Sequence, residues 1–245
     1  MSIRQLTSAI HNIKFPVLVF LSTVVICLTM RQAQAETIVP FYQPAAESRY
    51  LTGNWLADQW RAYKKCSEQV RPESTDCTNS IMYTTYLEGV HDGFWGLGPA
   101  GITLGQVAAI VGRYLDAHPE EWLKNAALLT GKALREAFKP DRYDFVFLTG
   151  KDLIELLRKA QKCTENPKDE GCTSNLVIDA IQYPRGVHDA LLVQERLPNC
   201  EDQDCNAGDI RKIVGKYLEK HPEKWKMNGA QSVMEALREA FPPKK

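Results

Sequence analysis

Neither sign of charge dominates this sequence. Its 30 Lys and Arg balance 30 Asp and Glu, and no block of like charge forms a solvating tail. Residues 1–35 hold three of the basic residues, Arg4, Lys14 and Arg31, and no acidic one, so the remainder carries 27 against 30, a net charge near minus three. That balance excludes a strong electrostatic attraction to nucleic acid or to an anionic membrane surface. The apolar run Phe15–Met30 has 16 residues, short of the roughly 20 that span a bilayer comfortably. Sustained two-residue alternation with turn chemistry is missing, which argues against a sheet. Also missing are a His-Glu-x-x-His helix, a phosphate-binding glycine loop, a calcium loop and paired Cys-x-x-Cys units, so catalysis, cofactor binding and metal binding have no carrier by motif.

What is present begins with an address. Arg4 and Lys14, the run Phe15–Met30 and then Ala33-Gln34-Ala35 follow the order of a secretory signal peptide. Cleavage after Ala35 would make Glu36 the first mature residue; an uncleaved anchor is the competing reading. Cys27 follows Val24, Val25 and Ile26 rather than small residues, which argues against lipid modification. The expected location is the periplasm, with no stable membrane insertion after cleavage.

The chain then says almost the same thing twice. Ile110–Phe138 and Ile213–Phe241 are identical at 17 of 29 aligned positions, counted directly. Leu51-Thr52-Gly53 recurs as Leu148-Thr149-Gly150, Cys66 as Cys163, and Gly89-Val90-His91-Asp92 as Gly186-Val187-His188-Asp189. The offset is 97 upstream and 103 downstream, so six extra residues, bringing Cys200 and Cys205, lie between Asp189 and Ile213. This is a duplicated domain.

Past residue 35 there are six cysteines: Cys66, Cys77, Cys163, Cys172, Cys200 and Cys205. In an exported chain these read as disulfides. Neighbour pairing is one of 15 connectivities, and the duplication favours it because Cys66 with Cys77 and Cys163 with Cys172 occupy equivalent places. Half a zinc site at Cys200-x4-Cys205 is the rival, without a second ligand pair nearby.

Helical spacing dominates both copies. Leu56, Trp60 and Tyr63 share one face of a first helix, and a second runs from about Thr78 to Phe94. Thr103 and Gln106 fit a capping box ahead of a third, whose apolar stripe is Leu104, Val107, Ala108, Val111 and Leu115. His118-Pro119-Glu120 interrupts it, because proline lacks the amide donor and constrains the residue before it; a fourth helix covers Asn125–Phe138. The second copy repeats the pattern, with Pro184 expected to bend or interrupt its second helix. The fold class is therefore all-α: two tandem small four-helix domains, each with a cystine linking helices one and two. The expected organisation is a signal peptide over 1–35, an irregular leader over 36–50, domains over 51–139 and 148–242, and a linker over 140–147.

The repeated His91-Asp92 and His188-Asp189 pairs invite a catalytic reading. Neighbours on a helix diverge by about 100°, and no nucleophile sits beside them in sequence, so a structural role is preferred. His118-Pro119-Glu120 and His221-Pro222-Glu223, each followed by a tryptophan (Trp122, Trp225), read as turns with the indole packed over them. Arg135 and Glu136 are expected to face solvent.

Gly101-Ile102-Thr103-Leu104-Gly105-Gln106, then Tyr114-Leu115-x-x-His118-Pro119-Glu120, then Ala133-Leu134-x-x-Ala137-Phe138 resembles the Rap/Tai-type immunity family. Leu51-Thr52-Gly53-Asn54, Cys66, Cys77 and Gly89–Gly93 extend the resemblance over most of residues 50–140, and Leu148–Phe241 repeats it, weakly between Ala190 and Asp209. The resemblance implies an exported, cystine-containing inhibitor of a double-membraned bacterium, without enzyme activity. Its partner would be a peptidoglycan amidase delivered by type VI secretion. Family members often act as homodimers and plug the enzyme's cleft with a protruding loop, so the tandem copies are expected to form an intramolecular pseudo-dimer. A periplasmic binding or envelope-structural protein without a toxin partner is the alternative. The contact residues expected are Gly98 and Pro99 in the glycine-rich loop between helices two and three, and Glu201, Asp202, Gln203 and Asp204 in the corresponding acidic loop of copy two.

Overall fold

Among the described residues eight α-helices, four from each copy, build the fold. A computed structural model describes residues 51–68, 75–138, 146–197 and 206–242. The expected signal peptide and leader, Cys200, Cys205 and the acidic loop Glu201–Asp204 lie outside the described residues. In the first copy α1 spans Gly53–Glu68, α2 Thr75–Gly93, α3 Leu104–Ala117 and α4 Ala126–Ala137. In the second, α5 spans Gly150–Glu165, α6 Ser174–Val193, α7 Ala207–Lys220 and α8 Gly229–Ala240. No strand occurs among the described residues, and no described helix is long and apolar enough to cross a membrane.

The helix boundaries follow local chemistry. Thr103 accepts from the Gln106 amide at 3.2 Å while the Gln106 side chain accepts from the Thr103 amide at 2.8 Å, the reciprocal box that satisfies two free donors of α3. In the second copy Asn206 takes the place of Thr103 and accepts from the Asp209 amide at 3.0 Å, so the cap survives the change of residue. Both third helices end where His118-Pro119 and His221-Pro222 turn the chain into short 3-10 segments, Pro119–Glu121 and Pro222–Lys226. The indoles close these turns as expected: Trp122 donates to the Leu115 carbonyl at 2.9 Å and Trp225 to that of Leu218 at 2.8 Å. Asn125 and Asn228 cap α4 and α8.

The recurring Leu-Thr-Gly marks a close approach. Ala126 donates to the Leu51 carbonyl and Gly53 to that of Lys124, both at 2.8 Å. Gly229 to Leu148 at 2.8 Å and Gly150 to Met227 at 2.7 Å mirror them in the second copy. A Cβ on Gly53 would lie 2.9 Å from the Trp122 carbonyl oxygen, so any larger residue would break this backbone pairing.

One cystine per copy ties the first helix to the second. Cys66 of α1 bonds Cys77 of α2, and Cys163 of α5 bonds Cys172 at the entry to α6. Each closes a small ring that stabilises by roughly 2–3 kcal/mol on a loop-entropy basis.

Two features refine the sequence-based expectation. Pro184 is expected to bend or interrupt the second helix of copy two; it does not interrupt it, since α6 runs unbroken from Ser174 to Val193. Proline removes one donor to the preceding turn, and the helix is held instead by its packing along α2. The other concerns the six extra residues. Each second helix ends in a left-handed residue, Trp95 (φ 63°) and Glu195 (φ 55°), followed by a bond back five residues, Gly96 to His91 at 3.1 Å and Arg196 to Leu191 at 2.9 Å. These are Schellman-type ends, and their separation of 100, against 97 before and 103 after, assigns half of the insertion to extra turn in α6.

The two copies share one compact unit, Pro44–Lys245. Leu56, Tyr83, Leu87, Val111, Leu129 and Leu134 anchor the first core, and Leu153, Ile154, Tyr183, Leu191, Ile210 and Leu237 the second. Ala190 of α6 belongs to the first core, so the copies interlock.

Candidate functional site

Among the described residues the largest helix contact is α2 against α6, the second helix of each copy. Glycine permits it. A Cβ on Gly89 would overlap the Tyr183 carbonyl oxygen, and one on Gly186 would overlap that of Tyr86, so the two backbones touch where these glycines face each other. Three residues before each glycine stands a fully buried tyrosine, and three residues after it an aspartate. Tyr183 donates to Asp92 at 2.8 Å and Tyr86 to Asp189 at 3.1 Å, a reciprocal exchange between copies.

The His-Asp pairs sit at this crossing. His91 Nδ1 lies 3.1 Å from Asp92 and His188 Nδ1 3.0 Å from Asp189. Adjacent side chains therefore do meet, contrary to the 100° argument, because Nδ1 stands close to its own backbone and the imidazole can swing onto the neighbouring carboxylate. The carboxylates are otherwise committed. Asp92 also accepts from the Phe147 amide at 2.9 Å and the Leu148 amide at 3.1 Å, fixing the entry to the second copy. Asp189 accepts from Arg185 Nε at 3.1 Å. Both aspartates are fully buried, and their bonds from Tyr183 and Tyr86 hold the repeats together.

The crossing is not symmetric in charge. Glu88 of α2 corresponds to Arg185 of α6. Burial, and then the negative charges of Asp92 and Asp179, push Glu88 up to about 8. Asp179 itself is raised by burial, against a hydrogen bond from Thr85 that lowers it. At the turn after α3, burial would raise Glu121, but hydrogen bonds from Lys124, Lys132 and Tyr114 outweigh it and bring it down to about 2. Glu121 thereby clamps α3 to α4. Among the described residues no cluster of three or more His, Cys, Asp or Glu could hold a metal ion.

The loop after α2 has the opposite character. Gly96, Gly98 and Gly101 have positive φ of 75°, 146° and 85°, and Pro99, Ala100 and Gly101 are exposed. The Ile102 amide bonds back to the Pro99 carbonyl at 3.1 Å. With Ile102, Ile110, Arg113 and Phe138, this loop borders a shallow cavity of about 360 Å³. Pro99 is exposed at this cavity, whereas Gly98 is buried and does not line it. Arg135 and Glu136 face solvent as expected, with the Arg135 guanidinium 5.3 Å from the Phe94 ring centre.

The model of the Rap1a immunity proteins matches residues 52–139 and again residues 149–243. The chain belongs to the Rap1a immunity protein family. The two matches are a tandem duplication of the domain, and each Rap1a repeat carries one of the two described cystines. Comparison with curated proteins and with solved structures gives no match. Tyr86 and Tyr183, which join the Rap1a repeats, and Arg185, which holds Asp189 within its own repeat, were not singled out from sequence. The signal was there: the repeated unit is Tyr-x-x-Gly-Val-His-Asp rather than Gly-Val-His-Asp.

Proposed function

We propose that this protein is an exported inhibitor that binds and neutralises a peptidoglycan amidase effector of type VI secretion. The observation that carries this reading is the double match to the Rap1a immunity proteins. Immunity proteins act on an effector, and a family of this kind works by binding rather than by catalysis. Export is supported by cystines in both repeats, which persist in oxidising compartments, and by the signal-type order of residues 1–35. The reciprocal Tyr86–Asp189 and Tyr183–Asp92 bonds support an intramolecular pseudo-dimer in which one chain supplies both halves.

The contact surface in this reading is the pair of loops that follow α2 and α6. Gly98 and Pro99 present a short, turn-rich segment in the first repeat, and Glu201, Asp202, Gln203 and Asp204 an acidic one in the second. A loop closed by Cys200–Cys205 loses less entropy on binding than an open one, and its acids suit a basic cleft. The test is inhibition, by the purified, oxidised protein, of any amidase encoded beside this gene. Saturable inhibition that weakens on deletion of Glu201–Asp204 or on Pro99→Asp supports the reading. Absence of binding to any neighbouring amidase, with an envelope defect on gene deletion in the absence of attack, favours an envelope-structural role instead.

A further inference from the structure

The first repeat fills a groove that the second leaves open. In the first, the Trp60 indole lies on Gly112, where a Cβ would overlap the ring. Its Nε1 donates to Asp116 at 2.9 Å, and Lys64 Nζ sits 5.0 Å from the ring centre. Tyr63 and Tyr83 stack around it, with centroids 5.6 and 6.0 Å from that of Trp60. At the same places the second repeat has Leu157 for Trp60, Ala160 for Tyr63 and Ala180 for Tyr83. The receiving groups are retained: Gly215 stands for Gly112 and Glu219 for Asp116. A Cβ on Gly215 would have Leu157 Cδ1 as its nearest neighbour, at 3.9 Å. Between α5 and α7 there remains a groove of about 380 Å³, within the size range of about 300–1,000 Å³ typical of ligand pockets.

The rim has also changed. Ala108 and Ala109 of the first repeat become Arg211 and Lys212, and Arg113 becomes Lys216, all lining the groove. Arg158 lies across it, 3.7 Å from Glu219 and 5.1 Å from the Trp225 ring centre. An apolar floor, a glycine that admits a flat ring, a carboxylate placed to accept an indole N–H and a basic rim together describe one ligand chemistry.

We propose that the α5/α7 groove of the second repeat receives a tryptophan side chain, flanked by acidic residues, from a loop of the partner protein. The incoming indole lies against Leu157 and Gly215, beside the place that Trp60 occupies in the first repeat. Its N–H reaches Glu219, and the flanking carboxylates meet Arg211, Lys212 and Lys216. A single indole desolvated in a fitted pocket is the kind of anchor that dominates a protein interface. The identity of the donor as the effector rests on the function proposed above.

The test uses the oxidised protein and an acetylated peptide amide with one 5-fluorotryptophan between aspartates, followed by fluorine NMR. Native protein is expected to shift the resonance saturably, and a peptide with alanine for tryptophan is expected not to compete. Leu157→Trp, which fills the groove from within, should weaken binding by about tenfold or more. Lys212→Glu with Lys216→Glu, an exposed double change that leaves the core intact, should weaken it and reduce its salt dependence. No saturable shift with native protein, or an affinity unchanged in both variants, overturns the proposal. If instead the protein self-associates and Leu157→Trp abolishes that, the occupant is a second copy and the proposal also falls. The neighbouring amidase separates the two claims. An amidase bound equally by native protein and Leu157→Trp removes the groove and leaves the inhibitor reading; peptide binding without any amidase binding does the reverse.

Discussion

Gly186→Ala sets two opposed effects against each other at the crossing of α2 and α6. Helix propensity alone favours alanine over glycine by about 1 kcal/mol in a helix interior. The crossing opposes it. A Cβ at Gly186 would overlap the Tyr86 carbonyl oxygen and stand 2.9 Å from the Val90 nitrogen and 3.2 Å from the Gly89 carbonyl carbon. All of these are backbone atoms, so no side-chain rotation relieves the overlap and the helices must separate. Overpacking of this sort costs about 1–3 kcal/mol. Separation also stretches the Tyr86–Asp189 and Tyr183–Asp92 bonds, each to a buried carboxylate and each worth about 1.5–3 kcal/mol. With about half of the two bonds' worth lost on stretching and the propensity gain deducted, the expected loss is about 2–5 kcal/mol. Gly215→Ala is the control: its nearest neighbour at 3.9 Å is ordinary contact, so it should gain up to about 1 kcal/mol. Urea unfolding of the oxidised protein, followed by circular dichroism with m held constant across variants, measures both. A Gly186→Ala protein as stable as native, beside a stabilised Gly215→Ala, would refute the crossing argument.

Further outcomes follow from the same geometry. Tyr183→Phe removes a donor to buried Asp92 and should cost about 1–3 kcal/mol in unfolding free energy; a change under about 0.5 kcal/mol would mean the bond contributes nothing to joining the repeats. Glu88 is raised to about 8 from an ordinary value of about 4.3, so between those values the folded chain keeps a proton that the unfolded chain has released. Its contribution is full below about pH 4 and is lost as pH rises through about 8. Glu88→Gln should therefore flatten the fall in stability across that window and raise stability at pH 8 by about 1–3 kcal/mol; an unaltered pH profile from thermal melts would count against it. Replacing Cys163 and Cys172 by serine should lower stability by roughly 2–3 kcal/mol without loss of helical signal, read by urea unfolding against the native protein under oxidising conditions.

Much of the local structure was legible because its causes are local. The capping box at Thr103 and Gln106, the proline stops after His118 and His221 and the apolar stripe of α3 each depend on residues within one or two helical turns. The cystine pairing was legible for another reason, since duplication supplied two aligned examples of one ring. The packing of Trp122 and Trp225 over their turns followed from the short distance between the indole and the preceding helix end. Pro184 failed as a breaker because the contact that sustains α6 comes from α2, some 90 residues away in sequence.

By itself the sequence determined that the chain is helical, that it consists of two related repeats and that they belong to an immunity-protein pattern. These are properties of periodicity and order, which a linear reading preserves. Only the tertiary structure decided what the repeated His-Asp pairs do. Their carboxylates accept from Tyr183 and Tyr86 of the opposite repeat, a relation between residues roughly a hundred apart that no spacing rule encodes. It also decided where each replaced aromatic side chain matters: Leu157, in place of Trp60, lines a groove beside Gly215 and Glu219, while Ala160 and Ala180, in place of Tyr63 and Tyr83, are fully buried in the second core. A linear reading does not say which of these positions border the same space.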